Sequence, residues 1–374
     1  MPPSLRLVIA GGGTGGHVQP ALAVLQSLTR QVDVNPLWIG SRDGIEQSVA
    51  NENDVPFRAI QTGKLRRYFS LQTPVDAMRI PLGMAQSFRI LRQFRPDVIF
   101  STGGFVSVPT VLAGRLLGIA SVTHEQTATV GLATKINAKF ADVVALSFER
   151  SRSALAGTKA RVIVTGNPIR ESLFGGSVDA GRDHFSLPHE LPMIYVTGGV
   201  LGAQAINSAV QAALPKLLQR AVILHQCGPA SRNADLPRLE SARNDLPVEL
   251  QCRYAVRERI GAELGDVYAA ASLVVGRAGA GTVAELAALG KPSLLIPLPG
   301  TGGDEQTLNA HVLADAGASV LLPQDQLTPD RLVKEVEELI SSPKLDEMSS
   351  AARSLGRTDA AGRLASAILD LARE

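Results

Sequence analysis

The sequence predicts an α/β protein built from two doubly wound, Rossmann-like domains facing across a cleft. Two observations carry this. Short apolar runs alternate with amphipathic stretches, the βαβα rhythm of a parallel sheet covered by helices on both faces. The rhythm runs once, breaks in a stretch rich in Gly, Pro and charge over 175–192, and then starts again, each time opening with a strand and a glycine turn. A chain of 374 residues also suits two domains better than one.

In the first half, Leu5–Ala10 reads as a buried strand leading through glycines into a helix from about Pro20 to Thr29. Further strands are expected at Pro36–Ile39, Asp97–Ser101, Ala120–His124, Val143–Leu146 and Arg161–Thr165. In the second half they are expected at Met193–Thr197, Ala221–Gln226, Glu249–Arg253, Leu273–Gly276, Ser293–Pro297 and Ser319–Leu322. Helices follow over Pro329–Ile340 and Ala360–Ala372. The boundary is placed near Gly166–Arg170, giving domains over 1–168 and 169–355. In such sheets ligands bind at the carboxyl ends of the strands, so the cleft is where a site belongs.

Composition narrows the classes. Hydrophobic residues make up 45% and charged residues 19%, as in a core-forming globular chain. A net charge of +2 gives no nucleic-acid signal, and no nucleic-acid partner is expected. Cys227 and Cys252 cannot form a disulfide framework, which points to a reducing compartment. The apolar run at 5–10 lacks a basic lead-in and enters a glycine loop, so it reads as a strand and not a signal peptide. No apolar run reaches the roughly 18 residues of a membrane span, so any membrane contact is expected to be peripheral.

Four glycine turns carry the chemistry. The first, Gly11-Gly12-Gly13-Thr14-Gly15-Gly16-His17, follows a strand and opens a helix. Glycine permits close backbone approach to a phosphate, and the helix start offers free N–H groups and a favourable dipole. Read as G-x-G-x-x-G it also fits a dinucleotide fingerprint, but the acidic ribose ligand expected about 20 residues on is replaced by Trp38-Ile39-Gly40-Ser41-Arg42, which argues against a nicotinamide cofactor. The second turn is Gly103-Gly104-Phe105, followed by Ser107 and Pro109. The third is Gly198-Gly199-Val200-Leu201-Gly202-Ala203, and the fourth Gly279-Ala280-Gly281-Thr282, with Glu285 one turn into the helix. Any one of these can be mere topology, but four at strand ends suit a ligand with a diphosphate and several hydroxyls. There is no P-loop, no His/Cys metal spacing and no G-x-S-x-G elbow.

These residues resemble a known family. Gly12-Gly13-Thr14-Gly15-Gly16-His17 with Pro20, Gly103-Gly104-Phe105-Val106-Ser107-x-Pro109 and His124-Glu125-Gln126 are similar, in order, to signatures of the MurG family of N-acetylglucosaminyltransferases. So are Gly166-Asn167-Pro168-Ile169-Arg170, Arg277-x-Gly279-Ala280-x-Thr282-Val283-x-Glu285 and Asp304-x-Gln306-x-x-Asn309-Ala310. The resemblance covers roughly residues 5 to 310. Thr127 stands where the family has Asn, and Val200 where it has Ser, removing an amide and a hydroxyl.

The resemblance implies a GT-B fold whose last helix, 356–374, crosses back to the first domain. It implies transfer of N-acetylglucosamine from UDP-N-acetylglucosamine to a lipid-linked muramyl-pentapeptide (lipid I), with inversion and with no metal or cofactor. The product, lipid II, would feed cell-wall growth and division. The first domain would serve the acceptor and the membrane, and the second the donor.

Glycosyl transfer needs a nucleophilic hydroxyl, a base and stabilisation of the leaving phosphate. His17, at the tip of the first loop, is the candidate general base, since imidazole offers a neutral ring near physiological pH; a brace for the loop is the plainer role. Glu125 is an alternative base or acceptor ligand. Arg170 offers a planar fork for phosphate oxygens, or a junction salt bridge. Backbone N–H groups of Gly199, Val200, Gly202 and Ala203, and of Ala280, Gly281 and Thr282, can stabilise the departing diphosphate. Glu285 is the candidate for the ribose, or a charged residue on a helix face; Gln306 and Asn309 are candidates for the sugar, or loop and capping residues; and Thr14, Gly15, Gly16, Gly104, Ser107, His124 and Thr127 are further candidate substrate-binding residues. The segment near Tyr254–Ile260 is the candidate for the uracil.

Lys64, Arg66, Arg67, Arg79, Arg89, Arg92 and Arg95, interleaved with Val75, Met78, Leu82, Phe88, Ile90 and Leu91, form a basic, partly apolar cluster. It reads either as a surface for anionic lipid on the cytoplasmic face of the membrane or as an ordinary amphipathic helix. Two other functions stay open: a different GT-B UDP-sugar enzyme, such as an epimerase, and a nucleotide-sugar-binding protein without turnover, which Thr127 and Val200 would favour.

Overall fold

A computed structural model of the chain describes residues 4–42, 44–63, 73–231, 234–300, 303–341 and 343–373, with backbone alone over 73–78. The chain divides into two compact units. One runs up to Arg170 and resumes at Arg357; the other is Glu171–Gly356.

The first unit runs β1 (Leu5–Gly11), α1 (Gly15–Thr29), β2 (Val34–Ser41), α2 (Ile45–Glu52), β3 (Phe57–Ile60), α3 (Thr73–Phe94), β4 (Val98–Gly103), α4 (Ser107–Leu116), β5 (Ala120–Glu125), α5 (Leu132–Asn137), β6 (Val143–Leu146) and β7 (Arg161–Val164). The strands are all parallel, in the order β3-β2-β1-β4-β5-β6-β7. The central strands are apolar on both faces because helices cover both. One face buries Leu7, Ile9, Val98 and Phe100 under α1, and the other buries Val8, Ile39 and Ile99 under α3 and α4.

The second unit contains α6 (Val178–Asp183), β8 (Met193–Thr197), α7 (Gln204–Leu217), β9 (Val222–Gln226), α8 (Asp235–Asn244), α9 (Val248–Gln251), β10 (Tyr254–Arg257), α10 (Leu264–Ala270), β11 (Ala271–Gly276), α11 (Ala280–Leu289), β12 (Ser293–Leu295), α12 (Glu305–Ala314), β13 (Ser319–Leu321), α13 (Pro329–Ile340) and α14 (Lys344–Leu355). Its sheet is again all parallel, in the order β10-β9-β8-β11-β12-β13. The last helix, α15 (Ala360–Arg373), returns to the first unit. There it packs on α1 and adds Leu364, Ala365, Ile368 and Leu371 to that core.

In both sheets the strand order reverses beside the first strand, between β1 and β4 and between β8 and β11. Loops leaving neighbouring strands on opposite faces open a crevice at such a point. The four glycine turns follow these four strands, so chain topology alone groups them in two pairs.

Three expectations need correction. The strand expected at Glu249–Arg253 is a helical turn, α9, and the strand begins at Tyr254. Val248-Glu249-Leu250-Gln251 alternates in polarity like a strand, but Val248 is exposed and the buried run is Tyr254-Ala255-Val256. The stretch 175–192 is not all loop: Ser177 caps α6 by accepting from the Ala180 N–H. The first helix starts at Gly15, not Pro20, so the glycines after Thr14 form its first turn.

Candidate active site

The first loop owes its shape to a residue outside any motif. Glu46, on α2, is fully buried, and its carboxylate accepts from Gly13 N at 2.8 Å, Ser41 N at 2.7 Å and Ser41 Oγ at 2.6 Å. It fills the space that a Cβ on Gly12, Gly40 or Gly44 would need, which explains those glycines. Trp38 Nε1 donates to the Gly11 carbonyl at 2.9 Å and fixes the other end of the loop. One N–H of the loop is therefore already committed to a carboxylate. Thr14 is exposed and caps α1 without a side-chain hydrogen bond, while Gly15 is half-buried and Gly16 exposed.

His17 stands in the first turn of α1, half-buried. Its Nδ1 lies 2.7 Å from the Thr102 carbonyl oxygen and 3.1 Å from Gln126 Oε1. Its Nε2 makes no hydrogen bond among the described residues and faces Gly104, whose Cβ position would lie 3.6 Å away. Gly103 and Gly104 adopt φ of +84° and +75°, and the added Cβ at Gly104 would come 2.9 Å from the Gly12 carbonyl. Only glycine lets the second loop run this close to the first loop and to the imidazole.

Several residues assigned to substrate are buried braces. Ser107 is fully buried, donating to the Gly104 carbonyl at 2.8 Å and accepting from Asn137 Nδ2 at 2.9 Å. His124 is fully buried, with Nε2 3.0 Å from the Gly166 carbonyl, and burial lowers its pKa to about 4. Glu125 uses both oxygens to close its own turn, one accepting from Thr127 N (3.2 Å) and Thr127 Oγ1 (2.8 Å), the other from Gly131 N (2.9 Å). That leaves His17 the better placed of the two candidate bases. Arg170, half-buried, has a buried Nε with no acceptor among the described residues.

In the second unit, Gly199 and Gly202 take φ of +79° and +75° and hold the third loop open before α7, whose N-terminus has no side-chain cap. Gln226 organises this loop. Its Nε2 donates to the Gly199 carbonyl at 3.1 Å, and its Oε1 accepts from Ile260 N at 2.9 Å, joining the loop to the segment assigned to the uracil. Val200 and Leu201 at the tip are 54% exposed, while Ala203 is buried. The fourth loop starts α11 at Gly279, again without a side-chain cap. A Cβ on Gly281 would meet nothing within 4 Å, and Thr282 is half-buried beside it. Glu285 Oε2 accepts from Tyr268 Oη at 2.8 Å, and Tyr268 stacks edge-on against Tyr195 with ring centres 5.7 Å apart.

Gln306 and Asn309 also serve the backbone. Gln306 Oε1 accepts from Leu298 N at 2.9 Å, and the fully buried Asn309 donates to the Ala278 carbonyl at 3.3 Å. Ala280 is buried. Arg277 ties the same region together, donating to the carbonyls of Ile296 (3.0 Å) and Pro297 (3.1 Å). No group of three His, Cys, Asp or Glu that could hold a metal exists among the described residues.

Within the basic cluster, Lys64, Arg66 and Arg67 lie outside the described residues, as do the side chains of Val75 and Met78. The rest of α3 is two-faced. Leu91, Phe88 and Ile90 pack into the core, Leu82 is exposed, and Arg89 and Arg92, with Arg95 just past the helix end, face outward around a shallow hollow of about 650 Å³. No described helix is long and apolar enough to cross a membrane.

Comparison with known proteins agrees along the chain. Residues 7–146 match the glycosyltransferase family 28 N-terminal domain, and residues 193–364 match its C-terminal domain. The UDP-N-acetylglucosamine–N-acetylmuramyl-(pentapeptide) pyrophosphoryl-undecaprenol N-acetylglucosamine transferase of Treponema denticola is 36% identical over 93% of both chains. The Treponema pallidum protein of the same name is 37% identical over 95% of this chain and 92% of its own. Among solved structures, MurG of Acinetobacter baumannii superposes with a TM-score of 0.75 at 28% identity, covering 98% of this chain and 100% of its own. A UDP-GlcNAc 2-epimerase from Neisseria meningitidis, at 14% identity and TM-score 0.68 over 98% and 100%, shares the fold alone.

Proposed function

Because the chain belongs to glycosyltransferase family 28, among the MurG N-acetylglucosaminyltransferases, we propose that His17 is the base of the transfer and that the second unit's glycine loops hold the departing UDP. The protein is a UDP-N-acetylglucosamine-dependent glycosyltransferase of peptidoglycan synthesis with the GT-B fold. It moves N-acetylglucosamine onto undecaprenyl-pyrophosphoryl-N-acetylmuramyl-pentapeptide. Near-full-length relatives share that one activity, which disfavours both an epimerase and a binding protein without turnover.

One observation carries the reading of His17. Both acceptors near its ring face Nδ1, leaving Nε2 as the basic nitrogen, at the point where the first two glycine loops meet. The muramyl 4-hydroxyl oxygen attacks the anomeric carbon as its proton passes to Nε2. The bond from that carbon to the UDP oxygen breaks on the opposite side, inverting the centre. Charge arriving on the diphosphate meets preorganised N–H groups at Gly199–Ala203 and Gly281–Thr282, and the guanidinium of Arg170. Glu285, steadied by Tyr268, takes the ribose hydroxyls. Gln306 and Asn309 act by shaping the backbone around the sugar.

The outward arginines of α3 and the exposed Leu82 suit a peripheral seat on anionic lipid, which would place the enzyme on the cytoplasmic face beside its acceptor. Co-sedimentation with liposomes that was indifferent to anionic lipid would remove this part.

The decisive assay is UDP release from UDP-N-acetylglucosamine with and without a lipid I analogue. Acceptor-dependent release with a disaccharide-lipid product is expected, with turnover of His17→Ala lowered at least about a hundredfold. Near-normal turnover in that variant would end the base assignment.

A further inference from the structure

A chain of hydrogen bonds runs behind His17, and its polarity can be read atom by atom. His124 Nε2 lies 3.0 Å from the Gly166 carbonyl oxygen. A carbonyl only accepts, so this nitrogen carries a hydrogen. Ser147 Oγ, 3.3 Å from the same nitrogen, spends its own proton on the Glu125 carbonyl at 2.8 Å and so does not compete. The buried His124 ring is neutral, its pKa lowered to about 4, which leaves a lone pair on Nδ1.

Facing that lone pair, 3.2 Å away, is the amide nitrogen of Gln126. The amide orientation is fixed independently, because the same nitrogen lies 2.8 Å from the Thr102 carbonyl and 3.1 Å from the His124 carbonyl. Its oxygen is therefore turned to His17 Nδ1, at 3.1 Å, alongside the Thr102 carbonyl at 2.7 Å. Two acceptors on one ring nitrogen require a proton there.

We infer that Gln126 and His124 are positioning residues that hold His17 as the Nδ1–H tautomer, with its lone pair on Nε2 beside Gly104, and that neither touches substrate. This rests on the reading of His17 as the base. When Nε2 takes the acceptor's proton, the imidazolium keeps two acceptors on Nδ1–H, and those bonds strengthen with charge. The proton goes no further along the chain, since an amide placed between two rings orients without conducting. It leaves His17 to water after UDP departs. His124 stays neutral throughout, so no second cation opposes the first.

The test is spectroscopic first. Two-bond proton–nitrogen correlations on the full-length enzyme labelled with ¹⁵N-histidine, assigned with His17→Ala and His124→Asn, should show opposite tautomers: Nδ1–H for His17 and Nε2–H for His124. Like tautomers, or an Nε2–H form of His17, would overturn the inference. Gln126→Met keeps side-chain length and removes the amide contacts to both imidazoles and to the Thr102 and His124 carbonyls. Its kcat should fall about tenfold or more, with KM for UDP-N-acetylglucosamine within about twofold. The His17 tautomer ratio should move about fivefold toward Nε2–H, the weight of one ordinary hydrogen bond. A Gln126→Met enzyme with wild-type kcat and an unmoved ratio also overturns it, and if that variant does not fold the wild-type tautomers decide alone. The two readings fail separately. Turnover retained in His17→Ala removes the base but leaves the tautomer pattern, whereas a wrong pattern with inactive His17→Ala removes the positioning chain alone.

Discussion

Replacing Glu46 should cost the first unit stability in a graded way. The carboxylate accepts three hydrogen bonds, two from Ser41 through Oε1 and one from Gly13 through Oε2. In Glu46→Gln the amide oxygen can keep the Ser41 pair, but its NH₂ then faces the Gly13 N–H, donor against donor. One buried donor is left unsatisfied, a cost of about 1–3 kcal/mol. In Glu46→Ala all three bonds go and a cavity opens beneath Gly12, Gly40 and Gly44, for about 3–5 kcal/mol. The protein supplies its own probe. Trp38 is the sole tryptophan, fully buried in this unit and bonded to the same loop. Urea unfolding followed by its emission should give midpoints in the order wild type, Gln, Ala, at unchanged slope. An alanine variant within about 0.5 kcal/mol of wild type would refute the bracing role, and so would a glutamine variant as damaged as the alanine one.

Other outcomes follow from the same geometry. Glu285→Ala should raise KM for UDP-N-acetylglucosamine about tenfold or more, and Tyr268→Phe, losing one charge-assisted bond, by less; an unchanged donor KM in Glu285→Ala would remove the ribose assignment. Gly104→Ala should cost roughly 1–2 kcal/mol for its left-handed backbone and lower kcat more than donor KM, since the methyl lands beside His17 Nε2; wild-type kinetics would contradict this. His124 titrates at about 4 in the folded chain against 6.5 unfolded, so below pH 6.5 protons favour the unfolded state. Its contribution, at most about 3 kcal/mol, is whole above pH 6.5, declines toward pH 4 and is gone below. Trp38-monitored unfolding of His124→Asn should show a flatter slope across that window.

Much of the fold was legible because apolar runs and glycine turns are local signals. Val143–Leu146, Met193–Thr197 and Pro329–Ile340 appear with the boundaries their patterns suggest. The edge strand β3 was not legible, since Arg58 and Ala59 in its middle are exposed and it lacks a buried run. The motifs pick out strand ends but not the contacts each residue makes. Ser107, His124 and Asn309 sit inside signatures yet are fully buried, spending their polar atoms on neighbouring backbone or side chains. Spacing cannot distinguish a group that meets substrate from one that shapes the wall behind it. Glu46 and Gln226 were invisible because Gly13, in the one case, and Gly199 and Ile260, in the other, are backbone partners distant in sequence that the sheet order brings near. For Glu46 one local clue existed: glycines at 40 and 44 shortly precede it.

The return of α15 has a consequence for how the protein is made. The first unit opens with β1 but finishes its core with Leu364, Ala365, Ile368 and Leu371, and Gly166, at φ +89°, leaves no room for a Cβ against Arg357. The whole of 171–356 is thus an insertion in the chain of the first unit. A ribosome delivers the inserted unit complete while the unit that precedes it still lacks its last helix. The second unit can settle during synthesis, but the first must hold an uncovered apolar face on α1 until α15 emerges, so loss of residues from α15 would damage the first unit.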